Sequence, residues 1–368
     1  MSLKLYIHIG TEKTGTTSIQ SSLNLNRDTL QGSGIYIPKT FGVTNQRLAT
    51  LLSMNASRND DFTIGNMIES ERHRKKLESS LKQKFIQEVE SVPPNTDVII
   101  ISTEQFHSRI LYREEVQRLR VFLESLFEEI YIVSYFRDPI HLVEPAYSTL
   151  LSSGNYIDAY GKPSDDTPLF SDFVKHWAVP TNHYLNASAI KKLWGDEFGE
   201  KFCIFNDFER NKLLERDVVV DFYSLVGFFE CDKLKVTPNL NESINSNGML
   251  LLYKANSLFP RFGAFSCIRN DIAKKVICDM KGKHKFMSSM QKLTIEARFS
   301  SGEHPSSLQN DDFSNQCISK DNKIVFDFIK ENFGMLSYVG WAVRICWKVV
   351  RIVRNYFISY LDKLGNRR

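Results

Sequence analysis

Apolar residues cluster in this chain with two alternating periods. A short run, Lys4-Leu-Tyr-Ile-His-Ile-Gly10, reads as a strand, and Ser18 to Leu30 after it as a helix broken by Gly32-Ser-Gly34. Ile35-Tyr-Ile37-Pro38 reads as a short strand or sheet edge, and residues 53–66 are polar and irregular. From Glu69 to Val89, Leu77, Leu81, Phe85 and Val89 recur every four residues on a charged background, which predicts a surface helix with one buried stripe. Asp97-Val-Ile-Ile-Ile-Ser102 is a continuous β-branched run of the kind found in buried parallel strands. Glu114 to Phe127 predicts a helix, Ile130 to Phe136 a strand, Ala187 to Phe198 a helix, Lys201 to Phe205 a strand and Asp217 to Val226 a helix. Pro139 is placed to open the helix after the Ile130–Phe136 strand. Strands alternating with helices predict an α/β fold with a parallel sheet covered on both faces. Ser152 to Pro168 reads as a loop over the site, and residues 240–335 as a mainly helical extension of one domain spanning 1–335.

The segment 336–368 has a different character. On a helical wheel Arg344, Lys348 and Arg351 share a narrow face, opposite Ile345, Val349, Val350, Ile352, Val353, Tyr356 and Phe357. This basic amphipathic pattern predicts peripheral attachment to an anionic membrane surface through residues 341–357, and its charges argue against a transmembrane span.

Composition adds bounds. With 368 residues, 42% hydrophobic and 24% charged, the chain suits a globular protein of one large domain or two. A net charge of +4 is too small to point to nucleic acid. Six cysteines without CxxC spacing suggest reduced thiols and no zinc site. The opening strand leaves no room for a signal peptide, so a cytoplasmic protein is expected.

The candidate chemistry concentrates at three strand ends. Between the first strand and helix lies Gly10-Thr-Glu-Lys13-Thr14-Gly15-Thr16-Thr17-Ser18. Glycines, hydroxyls and a lysine at the start of a helix make an anion site, because free N–H groups and the helix dipole converge there. Gly10 and Gly15 have the P-loop glycine spacing, but the lysine precedes the second glycine instead of following it. Ser102-Thr-Glu104-Gln-Phe-His107 places a carboxylate and an imidazole at the next strand end, where α/β sheets bind ligands, and either group can take a proton. Arg137-Asp138-Pro139 ends the third strand.

Lys13-Thr14-Gly15-Thr16-Thr17 strongly resembles the 5′-phosphosulfate loop of the sulfotransferases that use 3′-phosphoadenosine 5′-phosphosulfate (PAPS), whose core reads Lys-x-Gly-Thr-Thr/Ser. Ile132-Val-Ser-Tyr-Phe136-Arg137 resembles that family's strand ending in the arginine that holds the 3′-phosphate. The family's serine normally stands eight residues later; Pro145 occupies that position, and Ser148 is the nearest substitute. Leu193-Trp194 to Gly199, Phe208-Glu209-Arg210 and Val219 to Gly227 continue the likeness and are assigned to packing, so the match extends over residues 3–230.

The resemblance implies a P-loop-like three-layer α/β/α fold, PAPS as co-substrate and no metal. It implies that Lys13, Thr14, Gly15, Thr16, Thr17 and Ser18 hold the 5′-phosphosulfate, and that Arg137 and Ser148 hold the 3′-phosphate. Related bacterial enzymes favour Glu104 as the base, with His107 as runner-up. The expected reaction is sulfuryl transfer to a hydroxyl or amine, with residues 40–68 and 152–185 lining the acceptor site and a glycan or glycolipid as acceptor. The alternatives are an ATP-dependent P-loop kinase and an inactive membrane-attached binding module.

Overall fold

The computed structural model describes residues 3–154 except 69, residues 156–157 and 163–164, residues 170–236 except 180, residues 243–259 and 265–282, and scattered helical positions between 292 and 349. In chain order the elements are β1 (Lys4–Gly10), α1 (Thr16–Leu25), α2 (Arg27–Gly32), β2 (Ile35–Tyr36), α3 (Asp61–Gly65), α4 (Glu71–Glu90), β3 (Val98–Ser102), α5 (Gln105–Arg109), α6 (Arg113–Glu124) and β4 (Glu129–Phe136). There follow α7 (Ile140–Ser153), the two-stranded ribbon β5 (Tyr156–Ile157) and β6 (Pro163–Ser164), α8 (Phe170–Trp177), α9 (Ala187–Phe198), β7 (Cys203–Asp207), α10 (Val218–Leu225), α11 (Ser246–Leu258) and α12 (Ser266–Asp279).

The main sheet has five strands in the order β2-β3-β1-β4-β7, all parallel. Alternate residues of β1 feed two cores. Leu5, Ile7 and Ile9 pack with α4, α6 and α9 on one face, while Tyr6 faces the core built from α1, α2 and α10. This is a three-layer α/β/α architecture, and its buried strands are β-branched because both faces are covered. A third core packs α7 and α8 together with α11 and α12, the latter pair lying within residues 240–335.

Several boundaries differ from the sequence reading. The first helix begins at Thr16, two residues earlier than predicted, and stops at Asn26, where α2 begins. Asn26 is buried and bonded remotely: its Nδ2 donates to the Lys235 carbonyl at 3.2 Å and its Oδ1 accepts from Lys235 N–H at 2.7 Å. Those tertiary bonds leave it as the junction of two short helices. Within residues 53–66 the polar residues build α3, capped by a reciprocal Asp60–Thr63 pair. β7 starts at Cys203, because residues 200–202 form a 3₁₀ turn. Pro145 lies inside α7 and does not end it.

The start of the C-terminal segment is engaged with the domain. Trp341 is buried in the third core, and its indole N–H donates to Asp271 Oδ2 at 2.7 Å. Arg344 pairs with Asp271 from its exposed side, and Ile345 packs against the same core. Arg344 and Ile345, predicted for a solvent-and-membrane helix, are thus used in docking on α12. Trp347, Lys348 and residues 350–357 lie outside the described residues. Among the described residues, no helix is long and apolar enough to cross a membrane.

Candidate active site

Strand order fixes where a ligand can sit. Chain connections lead from β1 towards β2 and β3 on one side, and β4 and β7 lie on the other, so the switch point falls between β1 and β4. Ligands of open α/β sheets bind beyond the carboxyl ends of the strands at that point. Here those ends are Gly10 and Phe136, and a cleft of about 880 Å³ opens above them.

Residues 10–15 are tied down from beneath. Thr11 donates from both its N–H (3.1 Å) and its hydroxyl (2.9 Å) to the Tyr135 carbonyl, and the Ser134 hydroxyl donates to Gly10 at 2.9 Å. Gly15 has φ +80°, and a Cβ there would lie 2.7 Å from Val218 of α10, so both conformation and contact demand glycine. Lys13 also has a positive φ, 67°. No side chain caps the first turn of α1, which leaves the N–H groups after Gly15 open to a bound anion.

The predicted anion-site residues do not all face the cleft. Lys13, Gly15, Thr16, Thr17 and Ser18 line it. Thr14 does not: it is fully buried, and its hydroxyl donates to the Thr11 carbonyl at 2.6 Å. Its side chain braces the turn, and any contact to a phosphate would come from its backbone. Burial lowers the Lys13 pKa, while the carboxylates of Glu12 and Glu104 act against that shift.

Arg137 lines the same cleft, with its guanidinium 5.9 Å from the centre of the Phe208 ring. Neither Lys13 nor Arg137 forms an ion pair with a described residue, Asp138 and Glu144 included. Ser148 lines the cleft together with Pro145, one turn apart on α7.

Glu104 stands at the end of β3 and is held from both sides. Gln20 of α1 donates to Oε2, and Asn45 donates to Oε1 at 3.0 Å. The carboxylate lines the cleft beside Lys13. His107 is placed differently. It has no exposed surface, its Nδ1 accepts from the Glu12 N–H at 3.4 Å, and its Nε2 lies 3.0 Å from the Tyr184 carbonyl. With both ring nitrogens occupied it does not reach the cleft. The Tyr184 hydroxyl closes the circuit by donating to Glu12 Oε2 at 3.1 Å. His107 therefore holds the anion loop and the 182–185 turn together.

Burial lowers the pKa of His107 to about 3, and that of His8, enclosed in the sheet, to about 3 as well. Both values lie below the 6.5 of an unfolded histidine. Between those limits the unfolded chain takes up protons that the folded one refuses. Stability is then complete above pH 6.5 and declines as pH falls towards 3. Each histidine is expected to remove roughly 2 kcal/mol between pH 7 and pH 5. Urea midpoints at the two pH values measure this, and because burial also lowers His183, to about 4, His107→Asn should flatten the dependence by about a third.

Sequence reasoning passed over one group. His183 lines the cleft, and its Nε2 is buried without a hydrogen-bond partner. No local pattern marks it; it arrives through a 3₁₀ turn after α8. Arg47 and Asp61, from 40–68, and Phe173, Trp177, Asn182 and Tyr184, from 152–185, also line the cleft. Among the described residues, no group of three or more His, Cys, Asp or Glu is arranged to hold a metal ion.

No protein-family model and no curated protein matches the chain. Solved structures are similar at low scores, among them two sulfotransferases. A sulfotransferase from Alicyclobacillus acidocaldarius has a TM-score of 0.35 at 19% identity, with 61% of this chain matched to 80% of that one. The sulfotransferase domain from the curacin biosynthetic pathway has a TM-score of 0.34 at 13% identity, covering 82% of this chain and 98% of that one. At these scores the fold assignment rests on the five-stranded parallel sheet and its strand order.

Proposed function

We propose that the protein transfers a sulfuryl group from PAPS to a hydroxyl or amine acceptor. The observation that carries this reading is the convergence on one cleft, beside the uncapped N-terminus of α1, of two cations, Lys13 and Arg137, that form no ion pair with a described residue. Two separated cationic points suit a donor with a phosphosulfate at one end and a second phosphate at the other.

In this scheme the N–H groups following Gly15, with Thr16, Thr17 and Ser18, hold the 5′-phosphosulfate. Arg137 and Ser148 hold the 3′-phosphate. Glu104 takes the proton of the acceptor as the acceptor atom bonds to sulfur. The bond from sulfur to the bridging oxygen breaks, and its electron pair leaves on the 5′-phosphate of adenosine 3′,5′-bisphosphate. Lys13 meets the charge that develops on that oxygen. Glu104 is favoured over His107 as base because its carboxylate lines the cleft and His107 has both nitrogens engaged.

Titration calorimetry with adenosine 3′,5′-bisphosphate in EDTA tests the reading. Micromolar or tighter binding without a divalent ion is expected, weakened at least tenfold in Arg137→Ala, which loses a charge-assisted phosphate contact. Binding that requires Mg²⁺, or that prefers ATP, would favour a P-loop kinase instead.

A further inference from the structure

The carboxylate of Glu104 is the end point of a hydrogen-bond network that runs back into the sheet. Its Oε1 accepts from two amides, Asn45 Nδ2 at 3.0 Å and Gln105 Nε2 at 3.2 Å, and its Oε2 accepts from Gln20 Nε2. Each carboxylate oxygen offers about two lone-pair directions. Among the described residues, Oε1 has both directions engaged, while Oε2 has one engaged and one open. The atom left able to take a proton is Oε2. Gly10 brings this carboxylate against the anion loop, since a Cβ there would lie 3.3 Å from Glu104 Cα.

Two amides hold Oε1 only if each turns its NH2 towards it. An amide has a donor end and an acceptor end of similar shape, so its orientation is decided by what the far end meets. Here both far ends meet one hydroxyl: Thr103 Oγ1 lies 2.8 Å from Asn45 Oδ1 and 2.5 Å from Gln105 Oε1, and donates to them. Turned over, either amide would set its carbonyl oxygen against Oε1, two acceptors with no proton between them. Thr103 has no exposed surface, so it touches no substrate. Its main chain is engaged independently of the side chain, the N–H donating to the His8 carbonyl at 3.0 Å and the carbonyl accepting from Phe106 N–H at 3.3 Å. The hydroxyl is thus committed to the two amides alone.

We infer that Thr103 is a positioning residue for the reaction: its hydroxyl sets the Asn45 and Gln105 amides so that they hold Glu104 Oε1 and leave Oε2 to take the proton. The inference rests on the sulfuryl-transfer reading and carries its base from a residue to an atom. The acceptor proton passes to the open lone pair of Oε2 as the acceptor atom bonds to sulfur. The electron pair of the broken bond from sulfur to the bridging oxygen leaves with adenosine 3′,5′-bisphosphate.

The test compares the wild type with Thr103→Val, Thr103→Ser, Glu104→Gln and the double variant Thr103→Val/Glu104→Gln. Labelled PAPS is offered with water alone, methyl hexopyranosides, 4-nitrophenol or hexylamine, and the fastest acceptor of the wild type reports on every variant. Binding of adenosine 3′,5′-bisphosphate is measured in parallel on each protein. Valine keeps the size and branching of threonine and removes only the hydroxyl. Thr103→Val should lower kcat roughly tenfold, the scale of a small displacement of a reacting group, with KM for PAPS and bisphosphate affinity held within about twofold. Thr103→Ser keeps the donor and should recover kcat to within about twofold of the wild type. In the double variant valine should add nothing to the loss from Glu104→Gln, because a residue that acts through Glu104 has no base left to position. Additive losses overturn the inference, as do an unchanged kcat in Thr103→Val, a serine variant as slow as the valine one, or a valine variant that no longer binds the bisphosphate. So does a Glu104→Gln variant as fast as the wild type. If the wild-type protein does not bind the bisphosphate, the sulfuryl-transfer reading itself fails and the inference falls with it.

Discussion

Replacing Lys13 by alanine should lower the rate of sulfuryl transfer about 10²–10³-fold, the range seen when one preorganised partner of a developing negative charge is removed. The size follows from position. Lys13 projects from a turn anchored on Tyr135 and Ser134, so its ammonium group needs little reorganisation to meet the leaving oxygen. Its surroundings are partly desolvated, which strengthens the attraction beyond its value in water. Single-turnover transfer from labelled PAPS measures the loss. A fall of less than threefold, with bisphosphate binding intact, would remove Lys13 from the chemistry.

Glu104→Gln should reduce turnover by about 10²–10⁴-fold, the range for loss of a general base. Glutamine keeps the shape of the side chain, and its carbonyl oxygen can still accept from Asn45 or Gln20, though not from both. Affinity for adenosine 3′,5′-bisphosphate should change little, which separates loss of the base from collapse of the cleft. Because Gln20 belongs to α1, the helix that receives the anion also orients the carboxylate. A variant that retains near-full turnover would shift the base role to another group lining the cleft, with His183 first in line.

Much of the sheet was legible because its signals are local. Leu5 to Ile9, Ile99 to Ser102 and Ile130 to Phe136 are apolar runs, and each is followed by its chemistry within a few residues. The anion loop was legible for a similar reason: its glycine, lysine and hydroxyls are adjacent in the chain. What could not be read depends on partners far away in sequence. Asn26 separates α1 from α2 through bonds to Lys235. Thr14 looks like a ligand hydroxyl until the Thr11 carbonyl captures it. His107 looks like a base until the Glu12 amide and the Tyr184 carbonyl occupy both its nitrogens. The basic stripe around Arg344 looked free of the domain, yet its first residues pair with α12 through Asp271, a contact 73 positions away in the chain.

The backbone of Lys13 has a consequence for the evolvability of the fold. At φ 67° an L-residue is disfavoured by about 1–2 kcal/mol, whereas glycine adopts that conformation without penalty. Lys13→Gly would therefore relieve strain while deleting the charge, giving a hardier protein with a poorer site. Selection for thermal robustness alone would push this position towards glycine, and selection for turnover would hold it at lysine. The loop is thus a place where stability and activity oppose each other through a single residue.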